Sequence, residues 1–379
     1  MKRVLDPMPA GAVPADPHFS ETVINWQRRH GRQHLPWQAT RDAYRIWLSE
    51  IMLQQTQVAT VIPYYQRFLS RFPDVIALAD APVEEVMEYW SGLGYYTRAR
   101  NLHRCAQRVR DEYGGTFPAD PALLADLPGI GRSTAAAIAA FSHGARAAIL
   151  DGNVKRVFCR VFGIEGYPGA KAVETDLWQR AESLLPAEGM EAYTQGLMDL
   201  GATVCTRSRP ACEKCPLQSQ CVAYATGRTA ILPARKPAKA LPEKHTVMLV
   251  VVDKNKVLLE RRPSHGIWGG LLSLPELNRL FAEEVNEPGD MQQTLQLATS
   301  AFGAMDEVEP LQEFSHTFTH YKLFISPYRV HLKNGSVKEV PVPYCWVALD
   351  RLEESALPAP VKKMLSRLLL APDLLSDLR

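Results

Sequence analysis

LPGIGRSTAAAIAAF, residues 127–141, decides the fold of the first half of the chain. Gly129 and Gly131 permit a tight hairpin, with a helix expected before it and a small-residue helix after it. The second helix then begins at Arg132 and Ser133, with backbone N–H groups facing outward to hold a phosphate. A simple connector between two helices is the competing reading. Farther on, ILDGNVKRV brings Asp151 after an apolar stretch and before Gly152 and a basic helix start. A lone aspartate there is ordinarily an N-cap. Placed after a hairpin and accompanied by a second carboxylate and a cysteine cluster, it becomes a candidate catalytic group.

Working outward, the pattern up to about residue 225 is helical. Tyr44, Trp47, Leu48, Ile51 and Val58 form one apolar stripe, and RFPD, GGTFPADP and LPGIG punctuate such stretches. Roughly ten helices with little or no sheet are expected. Residues 226–245 contain three prolines and five Lys/Arg against one Glu, which reads as a basic, semi-extended linker. From about 246 the pattern turns strand-like. VMLVVVDKNKVLLERR gives two strands and a polar turn, KLFISPYRVHL and PYCWVAL give more, and helices are expected near 277–285, 290–301 and 358–370. The second half is therefore a separate α+β domain.

The length of 379 residues accommodates two or three domains, and 46% hydrophobic with 22% charged residues excludes disorder over most of the chain. No apolar stretch is long enough to span a membrane. Residues 1–18 read as a flexible tail, without the apolar core of a signal peptide, and a cytoplasmic protein is expected. The net charge of +2 neither demands nor excludes nucleic acid. Its distribution says more: residues 91–110 and 127–163 hold ten Lys/Arg and one acid, Asp151, a local basic field suited to phosphates.

Four of the seven cysteines crowd together, with Cys205, Cys212, Cys215 and Cys221 separated by six, two and five residues. Four soft thiolates in one compact loop bind a 4Fe–4S cluster or a tetrahedral zinc. Arg207, Arg209 and Lys214 lie among them, where they could meet phosphates. Cys105, Cys159 and Cys345 are isolated and read as packing residues.

LPGIGRSTA, LDGNVKRV and the cysteine spacing resemble the helix-hairpin-helix DNA glycosylases. WLSEIMLQQTQVATVIPYY (47–65) and GLGYYTRARNLH (92–103) narrow the resemblance to the MutY-type adenine DNA glycosylases. It extends through nearly all of residues 20–379. The resemblance implies a six-helix barrel over 37–144 within a helical region of 19–225. Residues 19–36 and 145–225 would form a cluster-bearing domain, and 246–379 a Nudix-like domain. It further implies a 4Fe–4S cluster on the four cysteines and removal of adenine opposite 8-oxoguanine or guanine in double-stranded DNA.

That chemistry asks for two carboxylates in opposite protonation states, because the base leaves once a ring nitrogen is protonated and the sugar then carries positive charge. By the resemblance, Glu50 is the general acid and Asp151 stabilises the sugar cation. Glu50, Gln54 and Gln57 stand at i, i+4 and i+7, so one helix face is expected to form a pocket wall. Gln54 and Tyr95 match residues that wedge into the duplex, with Tyr96 as the buried neighbour. Trp37, Gln38 and Gln195 match positions around the adenine pocket. Asn153 matches a supporting residue beside Asp151. Gly129, Gly131, Arg132 and Lys155 match DNA contacts.

Ser133 occupies the position where the related endonuclease III pattern has its Schiff-base lysine. A hydroxyl forms no imine, so a monofunctional enzyme is expected, with Lys155 as the nearby source of adventitious trapping. In the second domain, Gly270 and Glu276 open a Nudix-like GX5E pattern, but NRLFAEEVNEPGD lacks its glutamate-rich remainder. Pyrophosphohydrolase activity is not expected. Phe318, Thr319 and His320 match a loop that senses 8-oxoguanine, with threonine in place of the family's serine. The competing readings are an endonuclease III-like lyase, a nucleotide-pool pyrophosphohydrolase, and a non-catalytic lesion binder or cluster-based redox sensor. A monomer on DNA is the expected state.

Overall fold

The computed structural model describes residues 17–236, 240–263, 266–280, 291–318 and 320–369. The chain divides into two compact units: the described residues of 1–80 and 101–238, and those of 81–100 and 239–379. Residues 81–100 lie within the stretch expected for the barrel and group with the C-terminal part of the chain. No helix among the described residues is long and apolar enough to cross a membrane.

Up to residue 225 the described chain is helical. In order come α1 (Pro17–His30), α2 (Ala43–Leu53), α3 (Val58–Arg71), α4 (Val75–Asp80), α5 (Val83–Trp90), α6 (Thr97–Tyr113) and α7 (Pro121–Ala125). They are followed by α8 (Arg132–His143), α9 (Gly152–Val161), α10 (Lys171–Ser183), α11 (Met190–Asp199) and α12 (Val222–Ala225). Local chemistry marks the ends. Asp42 caps α2 and Asp120 caps α7, each accepting a backbone N–H, and Pro121 opens α7, where no donor is needed. Gly144, at φ +68, closes α8 in the left-handed region.

The hairpin between α7 and α8 forms as its sequence requires. Gly129 takes φ +80, and a Cβ there would come within 2.9 Å of the Asn101 Cβ. Ala135, Ala136, Ala137, Ala139 and Ala140 are all buried, and these small side chains let α2, α7 and α11 approach α8 closely. The core behind them contains Phe19, Val23, Ile149, Val157, Phe158 and Leu197. A π-helical turn, Leu200–Val204, continues α11 to the first clustered cysteine. Within the stretch expected as a linker, Leu232 is buried and Glu243 already opens a strand.

In the second unit the strands are β1 (Glu243–Asp253), β2 (Lys256–Arg261), β3 (Leu272–Ser273), β4 (Met305–Pro310), β5 (Phe314–Thr317), β6 (Lys322–Leu332) and β7 (Tyr344–Ala348). They form one mixed sheet with the path β3-β2-β1-β6-β4; β5 also pairs with β6, and β7 with β2. β1 and β6 run parallel from Glu243 opposite Lys322 to Val252 opposite His331. Helices α13 (Leu277–Leu280), α14 (Met291–Thr299) and α15 (Ala359–Leu369) complete this unit among the described residues. Leu249, Val251, Leu258, Leu295, Phe302 and Val330 form its core. The expected order, a helical region followed by an α+β domain, is observed.

Candidate active site

A cavity of about 540 Å³ opens in the helical unit, and Glu50, Trp37, Gln38 and Gln195 all line it. Four of the sequence-predicted residues thus converge from α2, the segment after α1, and α11. Trp37 is buried and meets the Tyr65 ring edge-on at 5.4 Å. Asp199, whose side chain is fully buried, braces two of the lining residues, Arg32 and Gln195. Its carboxylate accepts the Arg32 backbone N–H at 2.8 Å, Arg32 Nε at 2.7 Å and Gln195 Nε2 at 2.8 Å. Gln38 closes the Arg32–Gln38 segment, accepting from the Leu35 N–H at 3.0 Å and donating to the Arg32 carbonyl at 2.9 Å. Sequence reasoning missed Arg32 and Asp199. Arg32 gave no local signal, but the Gln195–Asp199 spacing of i, i+4 on a helix was a readable clue to Asp199.

The polar stripe expected from Glu50 through Gln54 to Gln57 does not exist. α2 ends at Leu53, Gln54 leaves helical geometry at ψ 112, and Gln55 turns left-handed at φ +57. Gln57 instead begins α3 as its N-cap. Glu50 reaches the cavity from the last turn of α2, and neither Gln54 nor Gln57 lines it.

Burial raises the Glu50 carboxyl to about 8, and the charge of Asp151 adds to the rise. A group so placed holds its proton near neutrality. Asp151 is also pushed up by burial, but the Val154 and Asn153 backbone N–H groups and the Arg156 charge oppose that shift. Asp151 is an N-cap as well as a candidate carboxylate: its Oδ1 accepts the Val154 N–H at 2.8 Å and so starts α9. Asn153 Nδ2 lies 3.4 Å from Asp151 Oδ2, and Asn153 Oδ1 accepts from Arg156 at 2.8 Å. Two carboxyl groups in electrostatic contact, one carrying more stabilisation of its anion than the other, are what acid–base work at a glycosidic bond requires.

Ser133 has a different task from an amine nucleophile. Its Oγ accepts the Leu150 N–H at 2.9 Å, tying the start of α8 to the residue before Asp151. Lys155, the nearby amine, is paired with Glu174 at 2.5 Å. Arg132, expected to meet a phosphate, is paired with Glu182 and stacked over Trp178 at 3.9 Å.

Several arginines of the local basic field likewise have partners within the fold. Arg108 pairs with Glu112 and Asp126, and Arg110 with Asp80 and Asp111. Arg146 donates to the carbonyls of Leu185 and Pro186, and Arg160 to those of Thr206, Arg207 and Leu232. Counting charges by segment misses these partners, which arrive from elsewhere in the fold. Arg156 links the site to the cysteines: it donates to Asn153 Oδ1, to the Gly201 carbonyl at 2.6 Å and to the Cys205 carbonyl at 2.7 Å.

Cys205, Cys212, Cys215 and Cys221 line one small cavity of about 20 Å³, walled by Val157, Val161, Leu200 and Leu217. Burial and then the neighbouring thiols push Cys215 up to about 11, and burial also raises Cys212 and Cys221, so these three resist ionisation unless a cation compensates them. Arg160, itself buried, points Nη1 at Cys205 Sγ at 3.3 Å. The donor set, its closure and its apolar wall fit a four-thiolate metal group. Among the described residues, no group of three or more His, Cys, Asp or Glu side chains gathers on a single ion position. Arg207, Arg209 and Lys214 are exposed on this loop.

In the second unit, Tyr95 is 48% exposed at φ +50, while Tyr96 is half-buried and donates to the Leu357 carbonyl. Phe318 packs in an aromatic cluster, 5.6 Å from Trp268 and 4.9 Å from Tyr321, with His320 exposed beside it. Thr319 lies outside the described residues. Glu276, the last residue of the GX5E pattern, is tied to Arg262 at 2.6 Å, and Glu260 to Arg279 at 2.7 Å.

Comparison with known proteins agrees with this architecture. The sequence profile of the HhH-GPD superfamily base excision DNA repair proteins matches residues 48–183, and that of the NUDIX domain matches 246–367. The chain is 36% identical over 351 residues to the adenine DNA glycosylase of Buchnera aphidicola subsp. Baizongia pistaciae, covering 92% of this chain and 96% of that protein. It is 32% identical over 401 residues to the adenine DNA glycosylase of Homo sapiens, covering 91% and 73% respectively. The solved structure of a thermostable thymine-DNA glycosylase superposes with a TM-score of 0.51 at 32% identity, covering 55% of this chain and 96% of that one. With the cavity, the carboxylate pair and the paired domains, these matches lead to one conclusion: the chain belongs to the adenine DNA glycosylase family.

Proposed function

We propose that this protein is a monofunctional base-excision enzyme that hydrolyses the N-glycosidic bond of adenine mispaired with 8-oxoguanine or guanine in DNA. The observation that carries the reading is the Glu50 carboxyl, raised to about 8 beside Asp151 in a cavity also lined by Trp37 and Gln195.

The base must leave the stack to reach such a cavity. Glu50 gives its proton to a ring nitrogen of adenine, the bond from C1′ to N9 breaks, and the bonding electrons leave with the base. The Asp151 carboxylate stabilises the resulting sugar cation. Water adds at C1′, its proton passes to the emptied carboxylate or to solvent, and an abasic sugar remains. Ser133 offers no amine, and Lys155 is held by Glu174, which supports release of adenine without strand cleavage. Gly129 shapes the hairpin and Gly131 stands as N-cap of α8, whose N-terminus can take a backbone phosphate.

Cys205, Cys212, Cys215 and Cys221 would hold a 4Fe–4S cluster. Four thiols arrayed round one small, apolar-walled cavity supply the donor set such a cluster needs, one cysteine per iron. When bound, it supplies a template that fixes the loop between Cys205 and Cys221. The C-terminal unit would read the opposite base through the 318–320 loop, and the Glu276–Arg262 pair argues against magnesium-dependent pyrophosphohydrolysis there.

The test is release of free adenine from a duplex with one 8-oxoguanine:A pair, followed by chromatography. No adenine from protein that binds the duplex would leave a lesion binder as the better reading. Thr319→Ala with His320→Ala should lower the preference for 8-oxoguanine:A over G:A, and an unchanged ratio would refute the assigned loop.

A further inference from the structure

The Gly92–Tyr95 turn between α5 and α6 is built in an unusual way. Gly92 at φ +95, Gly94 at φ +71 and Tyr95 at φ +50 all lie in the left-handed region. Glycine adopts it freely, but for tyrosine it costs free energy and must be held by its surroundings. Trp90 Nε1 and Arg98 Nη2 both donate to the Gly94 carbonyl, at 3.1 and 3.2 Å, and Arg98 also reaches the Leu93 carbonyl at 3.3 Å. The Arg98 guanidinium carbon stands 5.2 Å from the Trp90 ring centroid and 5.4 Å from that of Tyr95, both within cation–π range. Arg98 is 8% exposed beneath a tyrosine that is 48% exposed.

We propose that Arg98 is a positioning residue for lesion engagement: it locks the Gly92–Tyr95 turn and holds the Tyr95 ring out as a rigid platform on which a base of the substrate duplex stacks. The inference rests on the adenine-excision reading above, and extends it by assigning the residue that acts through Tyr95. A loose tyrosine at a loop tip would fold back on the protein, whereas a ring fixed at its backbone and against a cation keeps its remaining surface for a nucleobase. Arginine suits the task because one guanidinium nitrogen, Nη2, reaches both carbonyls while the planar group lies over two rings. A lysine provides the charge without the plane.

The test is a double-mutant cycle on the full-length protein. Affinity is measured for a duplex with 8-oxoguanine opposite a non-hydrolysable adenine analogue, with 2-aminopurine beside the pair to report unstacking. Arg98→Lys and Tyr95→Ala should each weaken lesion affinity about ten-fold and reduce the emission rise, with the double variant no worse than Tyr95→Ala alone. Wild-type behaviour of Arg98→Lys, or additive losses in the double variant, would overturn the proposal. So would wild-type affinity of Tyr95→Ala. Should Arg98→Lys not fold, Trp90→Phe removes the indole donor to Gly94 and enters the same cycle with the same expected outcome. Adenine release by the wild-type protein judges the excision reading separately, so the two failures are distinguishable.

Discussion

The Leu150 backbone N–H donates to Ser133 Oγ at 2.9 Å, so a residue in the first turn of α8 also fixes the approach to Asp151. The Ser133 hydroxyl is therefore a structural part of this site.

Ser133→Ala leaves the Leu150 N–H without its acceptor, which should cost about 1–3 kcal/mol. A lower melting temperature and slower excision are expected, with no gain of strand cleavage. An unchanged melting temperature would show that the bond contributes nothing.

Glu50→Gln and Asp151→Asn should each abolish base excision while largely sparing DNA binding. Asparagine is also a good N-cap, so Asp151→Asn keeps the start of α9 and isolates the loss of charge. Single-turnover assays and a binding titration check this; a normal excision rate in either variant would sink the assignment.

The Glu50 shift fixes the sign of the pH dependence. Its carboxyl is raised from 4.5 to about 8, so the folded protein holds a proton that the unfolded chain releases. The stability this contributes is complete below about 4.5 and is lost as pH rises through about 8. Excision should decline over the same upper limb as the acid is deprotonated. The fall in melting temperature from neutral to alkaline pH should be shallower in Glu50→Gln than in wild type. Identical slopes would contradict the shift.

Arg156 donates to the carbonyls of both Gly201 and Cys205 and to Asn153 beside Asp151. Removing it by Arg156→Ala leaves three part-buried acceptors without this donor, at up to about 1 kcal/mol each. Loss of thermal stability and of bound metal, together with excision, is expected. Metal content at the wild-type level with full activity would refute the link.

The legible features of the sequence were those set by neighbours in the chain. The hairpin glycines, the Asp151 cap and the β1–β2 turn all follow from local backbone chemistry, as does the cysteine spacing. Long-range pairing was not legible. Arg132 meets Glu182 across 50 residues and Arg32 meets Asp199 across 167, and no local pattern announces either pairing. The Glu50–Gln57 stripe failed because periodicity does not show where a helix stops. Nothing in QQTQ announced that Gln55 would turn left-handed. Glu50 was placed by resemblance, and its electrostatic setting became visible only in the folded cavity.

The most direct measurement is single-turnover processing of a duplex with one 8-oxoguanine:A pair, the A strand end-labelled and resolved with and without hot alkali. Cleavage only after alkali is the predicted result: adenine is released, an abasic site remains, and Ser133 supplies no lyase chemistry. Cleavage without alkali would contradict the account and direct attention to Lys155, and the absence of product in both lanes would contradict the roles of Glu50 and Asp151.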